Sequence, residues 1–174
     1  MTADGTPASW QDQVFDLLLQ HDVTQFAYVP DAGHKTLIDR SLAEPRVRSV
    51  ALTTEEEGVA LLAGADLGGA RGVLLMQSSG VGNCINMLSL IKGAGFPFLT
   101  LVSMRGNFGE ANAWQYPMGQ ATVPVLEAMG VTCLAADTPA EALATVRAAL
   151  TMVFRAHRAV AVLFTQKLLG AKRF

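Results

Sequence analysis

The chain has 174 residues, of which 51% are hydrophobic and 16% charged, with a formal net charge of −2. That length suits one domain with a real core, and its 13 Lys and Arg are scattered, which excludes the basic footprint of a nucleic-acid binder. No apolar run reaches the roughly 18 uncharged residues of a membrane span, so the surplus apolar surface is expected to be buried against another subunit.

Strand-like and helical patterns alternate along the chain. Trp10 to Gln20 repeats apolar residues at Val14, Leu17 and Leu18 and reads as an amphipathic helix. Phe26 to Val29 is a short strand ended by Pro30, Leu37 to Leu42 a helix, and Val47 to Leu52 a second strand. Thr54 with Glu57 forms a capping box for the next helix, which Gly68-Gly69 closes. Gly72 to Gln77 is a third, apolar strand, followed by a glycine-rich turn over Ser78 to Asn83 and a helix over Ile85 to Ile91. Phe98 to Val102 is a fourth strand, and Met104 to Thr122 is irregular. A helix over Val123 to Met129, a strand around Val131 to Leu134, a helix from Thr138 to about Arg155 and a strand over Ala159 to Phe164 complete the chain. Strands apolar on both faces with helices between them imply a three-layer α/β sandwich around a mostly parallel sheet, spanning residues 10–170 as one domain. Cys84 and Cys133 match no zinc or CxxC spacing and read as small buried hydrophobes. Met1 to Ser9 is polar without a signal-peptide core, so a cytoplasmic protein is expected.

Ligands of such sheets gather beyond the carboxyl ends of the strands. Four segments fall there: Pro30 to His34, Thr53 to Glu57, Gln77 to Asn83 and Ser103 to Tyr116. Glu55-Glu56-Glu57 precedes a run of small apolar residues. Three carboxylates in a first helical turn can remain solvated beside the helix dipole, or one can turn inward and serve proton chemistry. The turn after Gln77 has neither GxGxxG nor GxxxxGK[ST], so it is a plain connection or a place where a flat ring approaches the backbone. Arg105 can grip an anion through its planar fork or form a surface ion pair with Glu110. His34, after a Pro-Asp-Ala-Gly turn, can bind an anion or move a proton, although a lone histidine is more often a surface or capping residue.

Taken in order, Tyr28-Val29-Pro30-Asp31, Glu55-Glu56-Glu57-Gly58-Val59 with Ala63-Gly64, Met76-Gln77-Ser78-Ser79-Gly80-Val81-Gly82-Asn83, Met104-Arg105-Gly106 and Pro117-Met118-Gly119-Gln120-Ala121-Thr122 form a familiar series. Together they resemble the pyrimidine-binding domain of thiamine-diphosphate-dependent 2-oxo acid decarboxylases, nearest to the sulfopyruvate decarboxylase α subunits and the phosphonopyruvate decarboxylases. The resemblance implies a glutamate facing N1′ of the cofactor's aminopyrimidine. In the family it precedes a helix glycine by nine positions, and counting back from Gly64 gives Glu55, with Glu57 as the alternative. It further implies that Gln77, Ser79, Gly80 and Asn83 lie near the pyrimidine, and that Asp31, His34, Arg105 and Gln115 face the substrate.

Two departures from the family pattern matter. The Gly-Asp-Gly motif and paired asparagines of the diphosphate-binding domain are absent, and 174 residues leave no room for that domain. The resemblance therefore implies a split enzyme: a β subunit would hold Mg²⁺ and the diphosphate, this chain would hold no metal, and the cofactor would lie between them in a hetero-oligomer. The loop after Pro30 also carries no histidine pair, which leaves protonation of the product unassigned. The implied substrate is a small anionic 2-oxo acid bearing a sulfonate or phosphonate. The rival readings are a non-catalytic subunit of the same fold, acting in assembly or regulation, and an unrelated flavodoxin-like binding module.

Overall fold

Four of the chain's apolar runs become interior strands, and the two more mixed runs become edges. The computed structural model describes residues 8–171. Its strands are β1 (Val23–Tyr28), β2 (Arg48–Ala51), β3 (Arg71–Gln77), β4 (Phe98–Ser103), β5 (Thr132–Ala136) and β6 (Ala159–Phe164). All pair in parallel, in the order β2-β1-β3-β4-β6-β5. The helices are α1 (Trp10–Gln20), α2 (Lys35–Ala43), α3 (Glu55–Leu67), α4 (Ser78–Cys84), α5 (Leu88–Ala94), α6 (Tyr116–Ala128), α7 (Pro139–Ala156) and the short α8 (Gln166–Leu169). None of the described helices is long and apolar enough to cross a membrane.

Side chains alternate across the sheet, as a period of two requires. Val73, Leu75, Leu99, Leu101, Val160 and Val162 point into a core closed by α1, α2 and α7. Leu74, Met76, Phe98, Val102, Ala161 and Leu163 point into the opposite core, closed by α3, α4, α5 and α6. Each such fully buried leucine or phenylalanine contributes about 1.5–3 kcal/mol. The three-layer, parallel expectation holds.

The chain runs outward from β1 to β2, returns past β1 to β3 and β4, then skips to β5 and comes back to β6. Helices therefore leave to opposite faces on either side of the β1/β3 and β4/β6 boundaries. Crevices open at such reversals, beyond the carboxyl ends of the strands.

Local structure departs from the sequence expectations in four places. Ser78 to Asn83 is a helix, not a turn, because its glycines serve close packing. A Cβ on Gly80 would lie 2.2 Å from Glu55 Oε1, and one on Gly82 would lie 3.1 Å from Met118 Sδ. The helix expected at Ile85 starts at Leu88. Tyr116 to Thr122, expected to be irregular, is the first half of α6. Pro117 sits in its first turn, where a missing N–H costs nothing. Finally, the Thr54–Glu57 capping box does not form. The Thr54 hydroxyl donates to Glu56 at 2.5 Å, and the Glu57 carboxylate accepts from the Thr53 N–H at 2.9 Å. A capping box does open α1, between Ser9 and Asp12.

Candidate functional site

At the β1/β3 crevice one carboxylate ties three strand ends together. Asp31 begins a single 3-10 turn over Ala32–His34. Its Oδ2 accepts from the Gly33 N–H at 3.0 Å and from the Ser103 hydroxyl at 2.5 Å. Its Oδ1 accepts from the Gln77 amide at 3.2 Å, and the Ser79 hydroxyl donates to Gln77 Oε1 at 2.9 Å. Position 33 must be glycine, since a Cβ there would stand 2.6 Å from Ser103 Cβ. Asp31, Gly33, Gln77 and Ser103 line a cavity of about 200 Å³ together with Arg105, Leu168 and Leu169.

Arg105 is the cation of that lining, and the ion pair with Glu110 that its sequence context allowed does form, but buried and not at the surface. Its Nε and Nη2 donate to Glu110 Oε2 and Oε1 at 2.5 and 2.7 Å, with side-chain exposures of 11% and 0% for the pair. The Asn112 N–H and the Gln166 amide also donate to Glu110, both at 2.9 Å. The guanidinium beside it, helped by these donors, lowers the Glu110 carboxyl to about 2. The backbone of Arg105 is equally fixed. Its N–H donates to the Ser78 hydroxyl at 3.0 Å, and a Cβ on Gly119 would stand 2.1 Å from its carbonyl oxygen.

A second corner lies where α3 meets α4. Of the three consecutive glutamates only Glu55 is buried, at 8% exposure; Glu57 is exposed. The Glu55 carboxylate rests against the bare backbone of Gly80 and accepts from the Asn83 amide at 2.8 Å. It is also close enough to Cys84 to add to the burial that pushes this thiol up to about 12, which leaves Cys84 inert. Cys133 is only half-buried, less than expected. Beside this corner an apolar cleft is walled by Trp114, Pro117 and Met118, with Ser79 and Gln115 on its rim. Trp114 is 84% exposed.

The fold thus gathers Asp31, Gln77 and Arg105 at one cavity, Glu55, Gly80 and Asn83 at the α3/α4 corner, and Ser79 and Gln115 at the cleft. Helix α4 joins all three places. His34 reaches none of them. Its ring is fully buried beneath the β1 turn, with Nε2 3.2 Å from the Met76 carbonyl and no partner on Nδ1. Burial holds its pKa below the ordinary histidine value, so the ring is neutral and Nε2–H donates. Gln166 escaped the sequence reading, and Ser103 entered it only as the first residue of the Ser103 to Tyr116 segment. Both sit at or just after the carboxyl end of a strand, the position that marked the other candidates. Among the described residues no three His, Cys, Asp or Glu side chains cluster to hold a metal.

No family model matches the chain. Among curated proteins it is 35% identical over 153 residues to the sulfopyruvate decarboxylase subunit alpha of Methanococcus maripaludis, covering 87% of this chain and 92% of that one. It is 37% identical over 136 residues to the subunit alpha of Methanothermobacter thermautotrophicus, covering 78% and 82%. A phosphonopyruvate decarboxylase of Streptomyces viridochromogenes is 38% identical over 107 residues, but there the match spans 60% of this chain and only 27% of the longer enzyme. The 2-oxoglutarate:ferredoxin oxidoreductase of Magnetococcus marinus shares the fold, with a TM-score of 0.75 at 14% identity over 94% of this chain and 30% of that one. With identities above 30% across most of both chains, this chain belongs to the family of sulfopyruvate decarboxylase α subunits.

Proposed function

We propose that the chain is the pyrimidine-binding subunit of a split thiamine-diphosphate-dependent decarboxylase acting on sulfopyruvate or phosphonopyruvate, with residues 10–170 as its single domain. One observation carries the reading: the fold buries one of three adjacent glutamates, Glu55, against a glycine at the ligand edge of the sheet, with a single side-chain donor. The names of the relatives supply the substrate class.

The residues fit the heterocyclic end of the cofactor. A flat heterocycle suits the Glu55 corner, where Gly80 leaves the backbone bare and an apolar cleft adjoins. The diphosphate and its Mg²⁺ belong, on this reading, to a β subunit that holds them across the interface of a cytoplasmic hetero-oligomer. The broadly exposed Trp114 and its apolar neighbours are the kind of surface that a partner covers.

Thiamine diphosphate held there would supply an electron sink for the loss of carbon dioxide from the 2-oxo acid. The task of this chain is positional and protonic. Glu55 holds or moves a proton at the pyrimidine nitrogen, a role that a residue shielded from water performs best. Asn83 fixes the carboxylate's orientation, and Gln77, Ser79 and Gly80 form the adjoining surface. Asp31, through Gly33, Gln77 and Ser103, keeps the β1 turn rigid at the mouth of the cavity. Arg105, and Gln115 from the cleft rim, face the anionic substrate.

Reconstitution tests this. The chain alone should bind thiamine diphosphate weakly and release no carbon dioxide, and adding a β subunit that carries the diphosphate-binding domain should restore Mg²⁺-dependent decarboxylation of sulfopyruvate or phosphonopyruvate. Tight Mg²⁺-dependent binding by the isolated chain, measured by calorimetry, would refute the split-enzyme reading. A complex that forms but decarboxylates neither acid would make the chain a non-catalytic subunit.

A further inference from the structure

Helix α8 opens with a glutamine that is 2% exposed. A buried amide is tolerated when it is hydrogen-bonded, and Gln166 is bonded through its backbone N–H, its Oε1 and its Nε2. Its backbone N–H donates to Asn107 Oδ1 at 3.2 Å, its Oε1 accepts from the N–H groups of Asn107 and Phe108, both at 3.1 Å, and its Nε2 donates to Glu110 Oε2 at 2.9 Å. The last contact matters for chemistry, because the same carboxylate holds Arg105. A guanidinium has five N–H groups in a fixed plane. Glu110 takes one on Nε and one on Nη2, which leaves three for another acceptor. The direction in which that free edge points is set by the plane of the Glu110 carboxylate. Gln166 helps fix that plane by donating to Glu110 Oε2, the oxygen that also accepts from Arg105 Nε, and its neighbours Leu168 and Leu169 line the cavity that Arg105 lines.

We propose that Gln166 is a positioning residue for substrate selection: by orienting Glu110 it sets the free edge of Arg105 toward the second anionic group of the substrate, the group that pyruvate lacks. The inference rests on the decarboxylase reading for its substrate, but not for its geometry. A planar fork discriminates only when it is held in register, since two parallel hydrogen bonds become one when the plane turns. Gln166 commits four hydrogen bonds to the loop that follows Arg105.

Two variants test it in the reconstituted complex. Gln166→Glu still accepts the two loop N–H bonds but cannot donate to Glu110 when ionised, and it places a second carboxylate near Arg105. KM for sulfopyruvate should rise about tenfold, the scale of one lost charged hydrogen bond, with kcat nearly unchanged and KM for pyruvate little affected. The defect should shrink as the pH is lowered, because the introduced carboxyl regains a proton to donate. A purely structural role would lower kcat or raise KM for both acids alike, with no pH trend, and that result would overturn the proposal. The second measurement needs no turnover. In the isolated full chain, the Arg105 Nε–H resonance in ¹⁵N NMR should be sharp and protected, and in Gln166→Leu it should broaden and exchange with water. An unchanged resonance in a folded Gln166→Leu chain also overturns the proposal. If instead the wild-type complex decarboxylates neither acid while the resonance behaves as expected, the decarboxylase reading falls and the positioning of Arg105 by Gln166 stands.

Discussion

Two buried carboxylates, Glu55 and Glu110, stand at the same edge of one sheet, and their surroundings are opposites. Glu110 takes one edge of a guanidinium through Nε and Nη2, a side-chain amide and a backbone N–H. It has no capacity left for anything outside the chain. Glu55 takes one amide from Asn83 and lies on a glycine. Burying a carboxyl group is costly unless its oxygens are paired, so a saturated carboxylate is a structural bolt and an undersupplied one waits for a ligand. The difference lies in donor count, not in burial.

The largest effect should come from removing the waiting carboxylate. Glu55→Gln keeps the Asn83 contact and the fold, but cannot hold a proton on demand. Decarboxylation by the reconstituted complex should fall by at least the roughly 100-fold typical of general acid–base groups. Glu56→Gln and Glu57→Gln should cost little, because their carboxylates bond only to Thr54 and Thr53 nearby. A crippling loss in Glu57→Gln with a harmless Glu55→Gln would reverse the assignment. Gly80→Ala sharpens the same point without touching a charge. Alanine favours helix over glycine by about 1 kcal/mol, so α4 itself should not weaken. Its Cβ would nevertheless stand 2.2 Å from Glu55 Oε1 and must push the carboxylate aside. Displacements of that size cost up to about 100-fold in rate, so activity should drop roughly ten- to a hundredfold while circular dichroism stays unchanged. Full activity in Gly80→Ala would mean that the position of Glu55 is unimportant.

The same contrast explains how much the sequence disclosed. Periodicity placed all six strands, because interior parallel strands are apolar on both faces and little else in a chain of this length looks like that. It also placed Glu55, Gln77, Asn83 and Arg105 at the ligand edge. It misread Ser78 to Asn83, since glycine signals a turn and a close helix contact equally well. Only the partner, Glu55 for Gly80 and Met118 for Gly82, separates the two. It also left Arg105 open between substrate and surface ion pair. The bond to Gln166, 56 residues from Glu110, is a tertiary fact with no local signature.

Breaking the saturated carboxylate should harm the fold before the chemistry. Glu110→Gln strips Arg105 of its counter-charge and leaves Gln166 and Asn112 with a poorer acceptor. A loss of about 2 kcal/mol is expected, near the middle of the range for hydrogen bonds to charged groups, read as a lower urea midpoint at unchanged slope. Acid should do the same to the wild type. The Glu110 carboxyl lies at about 2 in the fold against 4.5 when unperturbed, held down chiefly by Arg105. Its contribution is complete above pH 4.5 and is lost as the pH falls toward 2, because the unfolded chain takes up the proton first. Glu110→Gln should therefore flatten the acid limb of the stability curve over that window. An unaltered limb would show that the ion pair contributes nothing net.

The smallest effect belongs to His34, which shares burial with both carboxylates but is kept neutral. Its ring is fully buried, Nε2–H donates to the Met76 carbonyl at 3.2 Å, and Nδ1 has no hydrogen-bond partner. Burial lowers its pKa below 6.5, against the opposing pull of Asp31. The sign follows directly. Below pH 6.5 the unfolded chain binds a proton that the folded chain refuses, so stability declines as the pH falls, by at most about 1.4 kcal/mol per pH unit. His34→Gln can keep a donor for Met76 but does not titrate. Between pH 6.5 and 5, where Glu110 is still ionised, the wild type should lose thermal stability faster than this variant, and the two curves should run parallel above pH 7. Because His34 lies under the turn that carries Asp31 rather than in the cavity, the substitution should leave KM nearly unchanged at pH 7. A large rise in KM there, with parallel stability curves throughout, would instead make His34 part of the substrate's surroundings.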